Sequence, residues 1–148
     1  MHTLLLPPIV MLVTIIIMLL LNQYIPLDRF WETHACWVGI PIIILGLVIA
    51  QWHARLFKKR GTNINTFKDP DILVTDGMFR FTRNPMYLGF VVSLSGLWIV
   101  LGSATPLFAL LGFFLLTHYW YIPVEERAMF KKFGTSYQNY QGRVRRWL

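Results

Sequence analysis

The sequence predicts an all-α integral membrane protein that forms a single domain over residues 1–148. Three observations support this prediction. Of the 148 residues, 55% are hydrophobic and only 14% are charged. The mean hydropathy is +0.51. The apolar residues are gathered in four runs of about the length that crosses a bilayer, which takes ~20 residues and at least ~17.

The four runs predict transmembrane helices at residues 4–21, 36–57, 85–101 and 107–123. The first has no basic segment before it and no small-residue cleavage site after it, so we expect a retained span and not a signal peptide. The third is short and must stand nearly upright. Only residues 102–106 separate the third from the fourth, which predicts an antiparallel helical hairpin.

Small residues recur on spans two and three at helical spacing, and such faces permit close helix contact in lipid. On span two they are Gly39, Gly46, Ala50 and Ala54, and on span three they are Gly89, Ser93 and Gly96.

All but Arg29 of the 14 Lys and Arg residues flank or occupy the loop 58–84 or lie in the tail 124–148. The positive-inside rule therefore predicts that this loop and both termini are cytoplasmic. The net charge of +7 collects where anionic lipid headgroups would be, so no nucleic-acid partner is expected. The single cysteine, Cys36, excludes an internal disulfide, and no Cys/His spacing indicates a metal site.

The start of span three is well specified. Asn84 is a good N-cap residue, and Pro85 suits the first helical position, where its missing N–H costs nothing. Arg80 and Arg83 stand just before them. Because helix N-termini and guanidinium groups attract anions, we expect a carboxylate or phosphate to dock here.

A second candidate site lies at the end of span four. His118, Tyr121 and Glu125 are spaced at i, i+3 and i+7, which places them on one helical face. An ionisable residue at the edge of a membrane helix usually faces a cavity or a partner. The alternative is that Glu125 and Glu126 only pair with nearby arginines and that His118 is an ordinary interfacial histidine.

Two further segments are expected to pack around these positions. An apolar strip at residues 72–74 does not suit an exposed loop, so the loop is predicted to fold back as a roof over the helix ends. In the tail, the aromatic spacing predicts a helix that ends at Gly134 and a second short helix after it. The ending from Arg143 to Trp147 is interpreted as an interfacial anchor.

The segment LVTDGMFRFTRNPMYLG, residues 73–89, resembles a motif of the isoprenylcysteine carboxyl methyltransferase and phospholipid methyltransferase superfamily. That motif begins with Leu-Val, a Gly and an aromatic residue. Arg-x-x-Arg follows, then His or Asn, and then Pro-x-Tyr-x-Gly. The segment EERAMFKKFGTSYQNY, residues 125–140, resembles the superfamily's closing signature. The resemblance covers roughly residues 40–148 and is greatest to short bacterial members.

The resemblance implies that S-adenosylmethionine is the methyl donor and S-adenosylhomocysteine the product. It places the cofactor between the inner ends of the last spans, the roofing loop and the tail. Asn84 stands where many members have His. Carried over by motif, the residues implied to bind the cofactor are Asp71, Ile72, Leu73, Val74, Phe79, Arg83, Asn84, Pro85, Met86, Tyr87, Glu125 and Glu126.

One departure concerns the acceptor. Family enzymes that methylate a prenylated cysteine carboxylate have an Arg one turn before the matching Glu, where this chain has Tyr121. Tyr121, with His118 as candidate general base, suits an acceptor that must lose a proton, such as an amine, a hydroxyl or a thiol.

We therefore expect an S-adenosylmethionine-dependent methyltransferase of the bacterial inner membrane that acts on a lipid-like or small hydrophobic acceptor. A phospholipid amine and a prenylcysteine carboxylate are alternative acceptors. The alternative from another class is a non-catalytic membrane scaffold that retains the fold.

Overall fold

The computed structural model describes residues 6–29, 36–59 and 72–148, and of residues 36 and 53–59 it describes the backbone alone. Within these ranges the chain is helical and has no β-strand; one isolated β-bridge joins Arg29 to Ser103. The all-α prediction is therefore confirmed for the described part of the chain.

Six α-helices lie in the described ranges. They are α1 (Pro7–Tyr24), α2 (Cys36–Lys59), α3 (Pro85–Leu101), α4 (Pro106–Leu116), α5 (Ile122–Phe133) and α6 (Thr135–Gln141). A 3-10 turn, Gly77–Arg80, precedes α3, and a π-helical segment, Thr117–Tyr121, joins α4 to α5. The predicted bounds of spans two and three agree with α2 and α3 to within two residues. Helix α1 starts later than predicted, since Pro7 occupies its first turn.

The last long helix continues beyond the predicted end at residue 123. α4, the π-helical segment and α5 form one helix of 28 residues, Pro106–Phe133. A proline inside a helix normally breaks it, because it lacks an N–H and its ring strikes the carbonyl four residues earlier. The wider π turn, in which the Ile122 N–H donates to the Thr117 carbonyl, immediately precedes Pro123. This turn lets the helix pass the proline and carry the glutamates onward.

Two of the described helices, α1 and Pro106–Phe133, are long and apolar enough to cross a membrane. Two shorter apolar helices, Trp37–Trp52 and Pro85–Leu101, lie beside them. Large apolar side chains on their outer faces are exposed, among them Leu12, Leu20, Ile44, Leu111 and Leu115. An outward apolar surface suits a lipid environment.

Helices α2 and α3 pack more closely than any other pair. A Cβ atom added to Gly89 would lie 2.6 Å from the Gly46 carbonyl oxygen, and one added to Gly96 would lie 2.7 Å from the Gly39 carbonyl oxygen. The two predicted small-residue faces therefore pack against each other. We call these four residues the glycine seam.

The turn between α3 and α4 has the predicted hairpin form. Gly102 ends α3 in the left-handed region, with φ 70°, and its N–H donates to the Trp98 carbonyl. Thr105 Oγ1 accepts a hydrogen bond from the Leu27 N–H at 2.9 Å, which ties the end of α1 to this turn. The hairpin brings the start of α3 and the start of α5 to the same end of the molecule.

Candidate functional site

The start of α3 is anchored by the C-terminal residues. Thr82 Oγ1 accepts a hydrogen bond from the Asn84 backbone N–H at 3.1 Å and donates one to the Arg146 carbonyl at 3.2 Å. The side-chain amide of Asn84 also donates to that carbonyl, at 3.0 Å. Asn84 does occupy the N-cap position, but its side chain makes no capping bond. The predicted helix start at Asn84 and Pro85 is therefore confirmed, and the Asn84 amide binds the tail instead of capping the helix.

Tyr87 and Glu125 form the centre of the site. The Tyr87 hydroxyl donates to a carboxylate oxygen of Glu125 at 2.8 Å, and Tyr87 is buried. Tyr87 lies in the first turn of α3, and Glu125 lies in the first turn of α5. The contact joins the two motifs that the sequence analysis singled out. A buried hydroxyl beside a carboxylate can orient a polar group of a ligand.

Glu126, the next residue, lies between two arginines. One of its oxygens accepts from Arg83 Nη2 at 2.9 Å, and the other accepts from Arg146 Nη2 at 2.5 Å. The Arg83 and Glu126 side chains are 12% and 13% exposed, so water screens this pair little. Arg83 Nη1 also donates to the Gln141 carbonyl at 3.1 Å.

We call Arg83, Asn84, Tyr87, Glu125, Glu126 and Arg146 the polar cluster. Its two guanidinium groups are matched in formal charge by the two carboxylates of Glu125 and Glu126. The buried Nε of Arg83 has no hydrogen-bond partner among the residues that the structure describes. A buried donor without a partner is costly, and an anionic ligand group would satisfy it.

The structure does not bring His118 and Tyr121 to the same partners. Tyr121 is buried with its ring centroid 6.2 Å from that of Tyr87. His118 stacks on Phe114 at 5.8 Å, and its Nδ1 accepts a hydrogen bond from Trp147 Nε1 at 2.9 Å. Both residues lie in the π-helical segment, which holds more residues per turn than the α-helix assumed from the spacing.

The bond from Trp147 defines what His118 can do chemically. A neutral imidazole that accepts at Nδ1 carries its proton on Nε2. The lone pair that a general base needs is therefore taken by the tail. A base role for His118 requires that the Trp147 bond first be broken.

The residues of the predicted roof form a second cluster. Val74 and Phe79 are buried with Tyr137, Tyr140 and Val144, and Leu73 packs against them. The Tyr140 hydroxyl donates to the Phe79 carbonyl at 2.8 Å. The described part of the loop thus folds onto the tail, and Ile72 is exposed. The roof over the helix ends stays a prediction. Asp71 lies outside the described residues.

This second cluster borders the polar cluster. Burial raises the pKa of the Tyr137 hydroxyl to about 12, with a further contribution from the Glu126 carboxylate. Arg83 and a hydrogen bond to Gln141 oppose that shift. Arg83 Nη1 donates to the Gln141 carbonyl at 3.1 Å and Gln141 also bonds Tyr137, so the two clusters adjoin.

Sequence reasoning missed Thr82 and the role of the chain end. The tail residues Arg146 and Trp147 were expected to anchor at the interface, but both turn inward to Glu126 and His118. The available signals were the positive charge of Arg146, which can pair with a carboxylate, and the indole N–H of Trp147, which can donate to a ring nitrogen. Pro85 and Met86 lie at the start of α3, with Pro85 buried and Met86 packed against the main core.

Among the residues that the structure describes, no group of three His, Cys, Asp or Glu side chains is arranged to hold a metal ion.

Comparison with known proteins identifies related chains. A family profile described as phospholipid methyltransferase matches residues 34–136. A protein-S-isoprenylcysteine O-methyltransferase of Schizosaccharomyces pombe is 35% identical over 75 residues, which are 49% of this chain and 31% of that protein. A probable protein-S-isoprenylcysteine O-methyltransferase of Oryza sativa subsp. indica is 27% identical over 122 residues, 80% of this chain and 62% of that protein. The chain thus spans less than two thirds of these curated relatives.

Proposed function

The chain belongs to the phospholipid methyltransferase family, and we propose that it is an integral membrane methyltransferase that uses S-adenosylmethionine. The observation that carries the proposal is the contact between Tyr87 and Glu125, which joins the two family motifs in a buried polar cluster. Bound S-adenosylmethionine supplies an activated methyl group, and S-adenosylhomocysteine is the product.

The polar, apolar and aromatic groups of the site suit the chemical groups of this cofactor. The Glu125 carboxylate can accept hydrogen bonds from ribose hydroxyls or an amino group, and the unpartnered Nε of Arg83 can donate to a carboxylate. The buried Val74 and Phe79 offer an apolar wall for an adenine. Tyr87 and Tyr121 offer aromatic faces for a cation. Glu126 would hold Arg83 in place. The site would be completed by the other implied residues, which are Asp71 to Leu73 and Asn84 to Met86.

Methyl transfer is an in-line displacement, so the protein need supply no nucleophilic Ser or Cys. Its task is to position the acceptor and keep water away. Tyr121 and Ile122 are fully buried in the same core as Tyr87, and this apolar packing beside the polar cluster would keep water away.

We propose a four-span topology with the polar cluster at the cytoplasmic surface. α1 and Pro106–Phe133 are long enough to span, and the 17 residues of α3 rise ~25 Å, which suffices if α3 stands upright. The clusters of basic residues then lie on the cytoplasmic side, in a bacterial inner membrane. A reporter enzyme fused after Leu148 should be active only in the cytoplasm, and activity only outside would contradict this topology.

For the acceptor, we propose a lipid-like or small hydrophobic molecule that loses a proton on methylation. Tyr121 stands where family enzymes that bind a prenylcysteine carboxylate have an Arg, and it lies against Tyr87 with no guanidinium group in its place. The curated relatives are named for isoprenylcysteine, so a carboxylate acceptor is the second candidate. Radiolabelled methyl donor added to membranes distinguishes them, because a carboxylate acceptor yields a base-labile methyl ester.

Calorimetric titration of the detergent-solubilised full chain with S-adenosylhomocysteine tests the cofactor. We expect binding, and we expect Glu125→Gln to weaken it by ~1–3 kcal/mol, the range for loss of a charged hydrogen-bond partner. Asp28→Asn is the matched control, since it makes the same charge change beside the α3–α4 turn, at the other end of the molecule. A folded wild-type protein that binds neither form of the cofactor would support the non-catalytic scaffold instead.

A further inference from the structure

A cavity of about 400 Å³ lies outside the polar cluster, between the 3-10 turn, α6 and the chain end. Two arginines line it, Arg80 from the 3-10 turn and Arg143 from the segment after α6. From the sequence, Arg80 and Arg83 were expected to bind one anion together. The structure separates them, because Arg83 is bound to Glu126 while Arg80 lines this second cavity.

The lining of the cavity fits a phosphate group. Neither Arg80 nor Arg143 forms an ion pair with any residue that the structure describes, and none of the described lining residues is acidic. Thr75, Ser136 and Asn139 add side chains that can donate hydrogen bonds to phosphate oxygens. Guanidinium groups bind phosphate oxygens in pairs with defined geometry, so two of them in one cavity favour such a ligand.

The floor of the cavity is apolar and well held. Tyr140 and Val144 are buried, and the Tyr140 hydroxyl is bound to the Phe79 carbonyl. The Tyr140 hydroxyl is therefore already engaged within the protein. A cavity with a basic rim and an apolar floor matches a phosphate that carries organic substituents better than a free ion.

Position favours a lipid as the source of that phosphate. Phe81, the residue directly after Arg80, is 66% exposed, an arrangement that suits insertion between lipid headgroups. We propose that this cavity binds the phosphodiester headgroup of an anionic membrane lipid. The floor shares Tyr140 and Val144 with the second cluster, but the two arginines lie outside the polar cluster, so lipid binding here does not require that the chain be a methyltransferase.

Calorimetric titration of the full chain in neutral detergent tests this site with three probes. They are a short-chain phosphatidylglycerol, a phosphatidylcholine of the same chain length, and inorganic phosphate. We expect phosphatidylglycerol to bind about tenfold or more tightly than either of the others, as charge-assisted hydrogen bonds and an apolar floor both contribute. Inorganic phosphate that binds as tightly as phosphatidylglycerol would overturn the lipid assignment, as would equal affinity for the two lipids.

Variants test whether the cavity, and not general positive charge, binds the lipid. Arg80→Gln and Arg143→Gln should each lower phosphatidylglycerol affinity about tenfold. Arg145→Gln is the matched control: Arg145 lies two residues from Arg143 and is exposed, as Arg80 and Arg143 are, but it does not line the cavity. We expect less than about twofold change there, since a lone exposed charge contributes little. Equal losses in all three variants would contradict a built site.

Two further measurements guard against misfolding. S-adenosylhomocysteine affinity and helix content should be unchanged in Arg80→Gln and Arg143→Gln, because neither residue belongs to the polar cluster. If a glutamine variant does not fold, Arg80→Lys and Arg143→Lys replace it, since lysine keeps the charge and loses the planar donor pair. We then expect a partial loss of lipid affinity, and unchanged affinity in both lysine variants would overturn the proposal.

Discussion

Helix α3 takes part in two interfaces that are built in opposite ways. Along its length it packs on α2 through the glycine seam, where backbone meets backbone. At its first turn it is held by the long side chains of the polar cluster and by the chain end. The seam depends on glycines, whose lack of a side chain lets the backbones meet. The polar cluster depends on hydrogen-bond donors and acceptors that point in defined directions.

The difference follows from what each region must do in lipid. Between apolar helices there is no hydrophobic driving force, so close van der Waals contact holds them together and small residues permit it. At the polar cluster, hydrogen bonds can be exchanged for those of a ligand at modest cost. We infer that the seam fixes the scaffold and that the polar cluster carries the chemistry. Four predictions test this contrast, in order of decreasing effect.

The seam should be the most sensitive part of the molecule. A Cβ at Gly46 would lie 2.5 Å from the Gly89 carbonyl oxygen, and a backbone atom cannot move aside as a side chain can. We expect Gly46→Ala to destabilise the protein by ~3 kcal/mol, at the upper end of overpacking costs. Thermal unfolding in detergent measures it.

Gly112→Ala is the control for that substitution. A Cβ there meets nothing within 4 Å, and alanine favours a helix by ~1 kcal/mol over glycine. Its unfolding temperature should therefore be unchanged or higher. Similar losses of stability at both positions would show that the seam is not specially packed.

The polar cluster should be sensitive to loss of its shared carboxylate. Glu126→Ala leaves the guanidinium groups of Arg83 and Arg146 near each other without their common partner. We expect a loss of ~2 kcal/mol, less than for a fully buried pair because Arg146 is 31% exposed. Hydrogen exchange should rise at residues 82–84 and 145–147, while the seam stays protected.

Arg127→Gln provides the comparison, since Arg127 is exposed and its Nε donates to the Pro123 carbonyl in its own helix. Its loss should cost less than ~0.5 kcal/mol. If exchange in the seam rose as much as at the tail in Glu126→Ala, the two regions would form one cooperative unit and our separation of them would be wrong.

The sequence predicted the scaffold better than the site. Apolar runs and small-residue spacing located α2, α3 and their contact, because both signals are local. The π turn at residues 117–121 could not be read from spacing that assumes 3.6 residues per turn, so His118 was placed on the same face as Tyr121. The contacts of Arg146 and Trp147 span 20 and 29 residues, and such distant pairing leaves no local pattern.

The chain end should control which nitrogen of His118 carries the proton. Trp147→Phe keeps an aromatic ring for stacking on Phe114 but removes the N–H that His118 Nδ1 accepts. We expect a loss of ~1 kcal/mol in stability. In nitrogen NMR spectra, neutral His118 should change from the Nε2–H form to a mixture of both tautomers.

Trp98→Phe is the matched control, because Trp98 Nε1 donates to the Ser103 carbonyl at 2.9 Å in the α3–α4 turn. It should cost a similar amount and leave the His118 spectrum unchanged. If activity is found, higher turnover in Trp147→Phe than in Trp98→Phe would support a base role for His118 once the tail releases it. An unchanged His118 tautomer in Trp147→Phe would refute the assignment of the bond.

The smallest effect at neutral pH, and a selective one at high pH, should come from Tyr137. Burial raises the pKa of its hydroxyl from 10.0 to about 12, with Glu126 adding to the shift. Above pH ~10 the unfolded chain loses this proton while the folded chain keeps it, so stability falls as pH rises through the window from ~10 to ~12. Tyr137→Phe should cost only ~0.5 kcal/mol at pH ~7, for the lost bond to Gln141, and its stability should fall less than that of the wild type between pH ~10 and ~12.

The same titration separates the two interfaces, because no seam residue ionises. Tyr140→Phe is the paired variant: the pKa of Tyr140 is also raised by burial, but its hydroxyl is bound to the Phe79 carbonyl. Tyr140→Phe should therefore cost ~1 kcal/mol already at neutral pH, and Tyr137→Phe about half of that, since its hydroxyl bonds the Gln141 side chain. Parallel pH profiles for wild type and Tyr137→Phe would show that the hydroxyl ionises equally easily in both states. The phenol would then lie in water, outside the cluster that borders Glu126.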